Sequence, residues 1–201
     1  WLKEHASIAI VDLLKIPEDQ SVIRDTIWNT ILQQLDIDKL LDADRERLLK
    51  SLFLDRFATA QKQDLAGLPE SSESYNVKLN SLIADWKKDS LYCATKLVEY
   101  LSIQGRGVIV VIDNTDQYST EVQDYCFSSA QEISERLKCI TLISMREERF
   151  FDSKIHGVLD AFQNSGFHIS SPRPSEVFKK RLEYTISMFE KKVGDDDDDI
   201  K

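Results

Sequence analysis

Acidic and polar side chains stand at the ends of two strongly apolar runs of the chain. Asp113 ends the run VIVVID and Asp116 follows it, while Ser144 and Arg146 close the run CITLISMR. Ligands of open parallel sheets bind at the carboxyl ends of the strands. A carboxylate there can hold Mg²⁺ directly or through water, and an arginine one strand away can neutralise a terminal phosphate. These residue types therefore indicate a site for a magnesium-bound phosphate.

A purely structural role is the alternative for the same acids. Carboxylates after a strand often cap the next helix or sit in a turn, and Asp116 can do either before a helix over Thr120–Leu137. Other catalytic constellations have less support. The three histidines are dispersed without ligand spacing, and the serine pair Ser128–Ser129 lacks the context of a nucleophile elbow.

Alternating strands and helices must position these side chains. Continuous apolar runs predict strands at Ser7–Leu13, Val108–Asp113 and Cys139–Met145, with a shorter strand at Phe167–Ser170. Residues 66–75 are typical of a loop. The predicted helices are one capped by Asp19 or Ser21, one or two within Asp38–Gln63, one long helix Asn76–Ser102, Thr120–Leu137, and Glu176–Lys192 capped by Ser175. This alternation is typical of a three-layer α/β domain with a mainly parallel sheet.

Composition excludes several classes of protein. The 201 residues carry a net charge of −9, including the acidic run Asp195–Asp199, which argues against a broadly basic nucleic-acid binder. No apolar run approaches the ~20 residues that cross a bilayer, so no membrane partner is expected. Three cysteines without CxxC spacing indicate buried, reduced thiols and a cytoplasmic protein. Because the first residue is Trp1, the chain is expected to be a fragment or a processed product.

An ordered set of motifs resembles one family of nucleotide-binding proteins. The segment GVIVVIDNTDQ resembles a Walker B strand, and ITLISMREERFF resembles a sensor-1 strand with its arginine. The segment FHISSPRPSEVFKKRLEY is similar to the junction between the last core strand and a helical lid. Together they resemble the signal-transduction ATPases with numerous domains (the STAND class of P-loop NTPases, near the AAA+ group). The resemblance covers residues 7–190 in order and spacing.

The resemblance implies a role for each candidate residue. Asp113 would coordinate Mg²⁺, and Asp116 would lie near the attacking water or the metal shell. Arg146 would sense the terminal phosphate of ATP, and Ser144 would join Asp113 and Arg146 among the nucleotide-binding residues. Pro172 would lie near the nucleotide base or the lid hinge. ATP and Mg²⁺ are thus the ligands that the resemblance implies.

The chain departs from the family pattern in three ways. No G-x-x-x-x-G-K-[ST] sequence occurs, although the phosphate cradle is built from that loop. Asn114 follows Asp113 where many hydrolytic relatives have a catalytic glutamate, and Gln117 stands where an acid is frequent, which leaves Asp116 as the nearby alternative base. The first strand and its phosphate-binding loop are expected to precede Trp1 or to come from another segment or chain.

These observations predict a domain plan and a function. Residues 1–171 form a partial P-loop NTPase-like core with a helical insert at 38–75, residues 172–193 begin a helical lid, and 194–201 are a disordered acidic tail. The intact protein is expected to be an ATPase that acts as a nucleotide-regulated switch in signalling or antiviral defence, with this chain alone inactive. Its expected partners are other domains of the same polypeptide or a second copy.

Two other functions remain as alternatives. A degenerate, non-catalytic ATPase-like scaffold fits the missing phosphate cradle together with Asn114 and Gln117. A small phospho-receiver-like domain using Asp113 has less support, because the acid cluster expected on a first strand is not visible.

Overall fold

The computed structural model describes residues 5–145 and 173–196. The chain divides into two compact units, Trp1–Gln163 and Asn164–Lys201. Several predictions fall outside the described residues: the boundary at 171/172, the strand Phe167–Ser170, and the candidate residues Arg146 and Pro172.

Three strands of the first unit form a parallel sheet. They are β1 (Ala6–Asp12), β2 (Gly107–Asp113) and β3 (Ile140–Ile143), with β2 in the centre. Each is rich in the β-branched residues that favour a pleated, packed surface. All three were predicted from their apolar runs, although β3 is shorter than the run Cys139–Met145. The mixed α/β class and the parallel sheet are therefore confirmed.

The helices of the first unit alternate with the strands. Asp19 starts the first of them by accepting hydrogen bonds from the backbone N–H groups of Ser21 and Val22, as predicted. The two short helices that follow confirm the prediction for residues 38–63. The helices are α1 (Gln20–Leu35), α2 (Arg45–Ser51), α3 (Leu54–Lys62), α4 (Glu73–Lys88), α5 (Ser90–Ile103) and α6 (Thr120–Leu137), with a 3₁₀ turn at Thr115–Gln117.

The prediction of one long helix over Asn76–Ser102 is wrong, because Asp89 separates α4 from α5. This residue has non-helical backbone angles, φ −81° and ψ 83°, and its carboxylate accepts a hydrogen bond from the Tyr92 N–H at 3.1 Å. It also forms an ion pair with Arg56 of α3. Short acidic side chains favour such caps over helix interiors. The buried stripe continues across the break through Leu79, Ile83, Cys93 and Leu97.

Helices cover one face of the sheet. The helices α1, α5 and α6 contact the strands and one another, and they bury Ala9, Val11, Val110 and Ile112 completely. On the opposite face, which we call the open face, Ile8, Ile10, Ile140 and Leu142 are exposed. Parallel sheets normally have both faces covered. Residues 5–145 thus form two layers where the sequence predicted three.

The outer edge of β1 is covered by a side chain from α1. The Gln34 amide oxygen accepts a hydrogen bond from the Ile10 N–H at 2.8 Å, and its Nε2 donates to the Ile10 carbonyl at 2.9 Å. These two bonds replace those that a neighbouring strand would make. Within the described residues, no strand pairs with the far side of β3.

All three cysteines are buried and free, as predicted. Burial raises the pKa of the Cys93 and Cys126 thiols to about 11 and also raises the pKa of Cys139. A thiol with a raised pKa is a poor nucleophile at neutral pH. The cysteines are therefore core residues of the described part of the chain.

The described part of the second unit is one helix, α7 (Pro174–Asp196). Proline suits the first helical position, because its fixed φ matches the helix and its missing N–H is not needed there. The carbonyl of Arg173 accepts the first helical hydrogen bonds, so Ser175 lies inside the helix and the prediction that it caps the helix is wrong. The acidic run predicted as a disordered tail is helical as far as Asp196. None of the helices in the described ranges is long and apolar enough to cross a membrane.

Candidate functional site

The open face of the sheet ends in a row of polar side chains at the carboxyl ends of the strands. Asp12 is the register partner of Asp113, and Ser144 directly follows Ile143 of β3. Because side chains alternate between the two faces of a strand, these three residues belong to the same face as the exposed Ile10 and Leu142. We call Asp12, Asp113 and Ser144 the polar row.

Asp113 is held by two donors on one of its oxygens. The Asn114 backbone N–H donates to Asp113 Oδ1 at 2.8 Å, and the Ser144 hydroxyl donates to the same atom. Two predicted site residues, Asp113 and Ser144, are therefore in direct contact. No donor from the described residues reaches Oδ2 of Asp113, so this oxygen can accept an external group.

Asp12 is held in the same manner on the neighbouring strand. Its Oδ1 accepts hydrogen bonds from the Leu14 N–H and from Nδ2 of Asn114, each at 2.8 Å. These two donors hold the pKa of the exposed Asp12 carboxyl below its usual range. No described residue donates to its Oδ2. The two carboxylates thus direct one oxygen each to the protein and keep the other for a ligand or water.

Asn114 connects the two strands from an unusual backbone conformation. Its φ of 63° and ψ of 30° lie in the left-handed region, which asparagine tolerates better than most residues. In this conformation its N–H binds Asp113 while its side-chain amide binds Asp12. Backbone outliers often mark functional sites, where surrounding contacts maintain them. A single asparagine therefore orients both carboxylates.

The loop that follows Asp12 is hydrogen-bonded to the segment that follows Asp113. The buried Tyr118 hydroxyl lies 2.6 Å from the Leu13 carbonyl oxygen and 2.8 Å from that of Ile16, and it donates to one at a time. Nε2 of Gln117 donates to the Leu13 carbonyl at 2.7 Å. These contacts fix the position of β1 relative to β2 at the end where the polar row lies.

A further hydrogen bond joins the same loop to the start of α6. The Glu18 carboxylate accepts a hydrogen bond from the Ser119 N–H at 2.8 Å, at the start of α6. Contact with Ser119 holds the pKa of Glu18 below its ordinary value. A carboxylate at this position also interacts favourably with the positive end of the helix dipole.

Asp116 lies outside the polar row. It occupies the 3₁₀ turn between β2 and α6 and is half-buried there. Beside it, the fully buried Thr115 donates from its hydroxyl to the Ser144 carbonyl at 3.3 Å. The structural alternative for Asp116 was a helix cap or a place in a turn, and the second is what the structure shows, because the N-cap position of α6 is Ser119. The structure thus brings Asp113 and Ser144 together and leaves Asp116 one turn farther along the chain.

The polar row fits Mg²⁺ bound together with phosphates better than Mg²⁺ bound alone. Proteins usually hold this ion through one or two carboxylates plus substrate phosphate oxygens and water. Asp12 and Asp113 supply two carboxylates, and no group of three or more His, Cys, Asp or Glu suited to a metal is found among the described residues. The loop after β1, from 13 to 19, contains no glycine and supplies no phosphate cradle.

No protein-family model, curated protein or solved structure matches the chain. The assignment of a function therefore depends on the geometry of the site and on the sequence motifs. The sequence reasoning overlooked Asp12 and Tyr118. Asp12 was available from the predicted strand Ser7–Leu13, since the strand-end rule that selected Asp113 applies to it equally.

Proposed function

We propose that this chain is part of a STAND-like P-loop ATPase core that binds Mg-ATP at the polar row. The observation that carries the proposal is Asp113, oriented by Ser144, at the carboxyl end of the central strand of a parallel sheet. This is the edge at which open α/β sheets bind ligands. The exposed open face supports a third layer supplied by other residues, as in the predicted three-layer fold.

The residues of the polar row have separate tasks in this proposal. Asp113 would hold Mg²⁺ through its carboxylate, while the Ser144 hydroxyl holds Oδ1 and so fixes the carboxylate plane. When bound, Mg²⁺ neutralises charge on the phosphates. Arg146 neutralises the terminal phosphate, and Pro172 lies near the base or the lid hinge; both roles come from the family resemblance. ATP turnover then sets the state of a signalling or defence switch.

The phosphate cradle must come from elsewhere in this proposal. The chain has no Walker A sequence, and backbone N–H groups with a lysine normally supply most phosphate contacts. Another segment of the same polypeptide or a second copy would supply it. The proposal therefore predicts much weaker nucleotide binding by the 201-residue chain alone than by the natural protein that contains it.

The proposal is tested by measuring Mg-ATP binding to the whole natural protein by calorimetry. Asp113→Asn removes a metal-binding charge, so we expect the Mg²⁺-dependent affinity for ATP to fall by more than about tenfold. The matched control is Asp25→Asn, on the exposed side of α1, which should leave the affinity unchanged. Equal affinities for the wild type and Asp113→Asn would contradict the proposal.

A non-catalytic interaction scaffold is the second candidate. The open face favours it, because Ile10 and Ile140 are 52% and 60% exposed on a sheet that normally needs cover. Asn114 in place of a catalytic acid is also consistent with lost hydrolysis. Failure of the whole wild-type protein to bind Mg-ATP would favour this function over the ATPase switch.

A further inference from the structure

Two buried polar atoms at the amino end of the sheet have no hydrogen-bond partner among the described residues. They are Oγ of Ser7, a residue that is 3% exposed, and Nε of Arg106. A buried donor or acceptor that stays unpaired destabilises a fold, so native proteins pair almost all such groups with protein atoms or with ordered water. Both atoms therefore point to a partner that the described residues do not supply.

The two atoms belong to neighbouring parts of the structure. Ser7 is the register partner of Val108, and Arg106 comes two residues before Val108. Nη2 of Arg106 donates to the carbonyl oxygen of Ala6 at 3.4 Å, and this carbonyl carbon is bonded to the nitrogen of Ser7. The guanidinium group thus lies beside the backbone of Ser7 without a hydrogen bond to its hydroxyl. A small molecule between the two groups can contact both.

The chemistry of the two atoms fits a water molecule. Nε of an arginine only donates, whereas a serine hydroxyl both donates and accepts. Water accepts a hydrogen bond from the first atom and shares one with the second, and buried waters usually make about three such bonds. We propose that a buried water molecule bridges Nε of Arg106 and Oγ of Ser7, and that it joins β1 to the start of β2. This inference does not depend on the proposed nucleotide-binding function.

The charges around Arg106 favour a neutral molecule over an anion at this site. The carboxylate of Asp38 lies close enough for the two charges to interact. The pKa of Asp38 is held below its usual range first by hydrogen bonds from Tyr100 and Gln104, and in smaller part by the charges of Arg47 and Arg106. Arg106 therefore has an opposite charge nearby already, and a neutral molecule is sufficient to pair its Nε.

The bridge gives Ser7 a part in covering the outer edge of β1. The backbone groups of Ala6 and Ile10 face the same edge, because these residues are an even number of positions apart along the strand. Gln34 pairs with the backbone groups of Ile10, and Arg106 pairs with the carbonyl of Ala6. By holding the guanidinium group, the water keeps the second of these contacts in place.

A crystal structure of the whole natural protein tests the proposal directly. At a resolution that shows ordered water, we expect a water oxygen within about 3.2 Å of both atoms. Ser7→Ala should remove this water. The matched control is Ser128→Ala on α6, where the exposed hydroxyl bonds the Asp124 carbonyl, and this variant should retain the water. A direct bond between Ser7 and Arg106, a bound anion, a protein atom in this place or no water there would each overturn the proposal.

Urea denaturation of the same protein supplies a second test whose sign is decisive. A bridged hydroxyl contributes about one net hydrogen bond, so Ser7→Ala should raise the equilibrium constant of unfolding by about fivefold. An unpaired hydroxyl predicts the opposite, because its removal ends the cost of burying it. A lower equilibrium constant for Ser7→Ala would therefore refute the bridge.

A double-mutant cycle tests whether the two side chains share one partner. Arg106→Lys keeps the positive charge near Asp38 but has no donor at the position of Nε. Because either substitution breaks the bridge, the second one should add less than its own effect in the wild type. Fully additive effects would contradict a shared water. If either variant does not fold, the crystal structure of the wild type still decides the proposal.

Discussion

The two faces of the sheet carry similar apolar side chains but differ in how far these are exposed. On the covered face, Val11, Val110 and Ile112 are 0% exposed beneath α1, α5 and α6. On the open face, Ile8 and Ile10 of the same strand are exposed, and the face ends in the polar row. The covered face therefore supplies the stability of the described fold. The open face is available for contacts with other residues or molecules, and it carries the candidate chemistry.

The difference between the two faces is tested most directly by replacing one isoleucine with alanine on each face. Ile112→Ala on the covered face should lower the free energy of unfolding by about 2–5 kcal/mol, because it leaves a cavity among helices. Ile10→Ala on the open face should cost less than about 1 kcal/mol, because this side chain is half-exposed already. Urea denaturation of both variants and the wild type measures the difference.

A large loss in the free energy of unfolding for Ile10→Ala would indicate that other residues of the protein cover the open face in solution. Equal costs for the two truncations would contradict the assignment of stability to the covered face.

A smaller loss of stability should follow from removing the hydrogen bonds between Tyr118 and the loop after β1. Tyr118→Phe removes the buried hydroxyl that lies between the carbonyls of Leu13 and Ile16. We expect a loss of about 1 kcal/mol in the free energy of unfolding, the usual net value of one neutral hydrogen bond. Tyr125→Phe on α6 is the matched control, because its hydroxyl makes no hydrogen bond to the described residues. A Tyr118→Phe variant as stable as this control would show that the hydroxyl contributes nothing.

The smallest effect should depend on pH. The pKa of Glu18 is lowered in the folded protein, so its charge stabilises the fold above the unfolded-state pKa and this stabilisation is lost as pH falls through the folded-state pKa. Glu18→Gln should be slightly less stable than the wild type at neutral pH and equally stable in acid. Urea denaturation at both pH values checks this, with Glu70→Gln in an exposed loop as the control. A difference that persists in acid would refute the electrostatic cause.

Much of the fold was readable from local patterns. The helix Thr120–Leu137 has the bounds that its periodicity predicts, and the Asp19 cap marks the start of α1. The break at Asp89 was not readable, because the buried stripe continues across it. Periodicity reports which side chains share a face, and it does not report a single residue that leaves the helix.

The open face was hidden for a related reason. A continuous apolar run such as Val108–Asp113 predicts burial on both faces, yet Ile109 and Val111 belong to the face that the described helices leave uncovered. Composition alone does not tell whether one face or both faces of such a strand are covered by helices.

The candidate site was predicted only in part. Asp113 and Ser144 were placed at the ends of two strands, and the structure shows these strands as neighbours and the two side chains in contact. Their role in binding a nucleotide stays a prediction. The link between Asn114 and Asp12 joins residues 102 positions apart. It depends on strand register and on the left-handed backbone of Asn114, neither of which any local pattern specifies.

The amide of Gln34 has a consequence for how this sheet can grow. It occupies the hydrogen-bonding groups of Ile10 at the middle of the outer edge of β1, so a strand that joined this edge would have to displace the glutamine amide. Within the described residues, the edge of β3 has no such cover. One glutamine thus biases the growth of the sheet toward the side of β3.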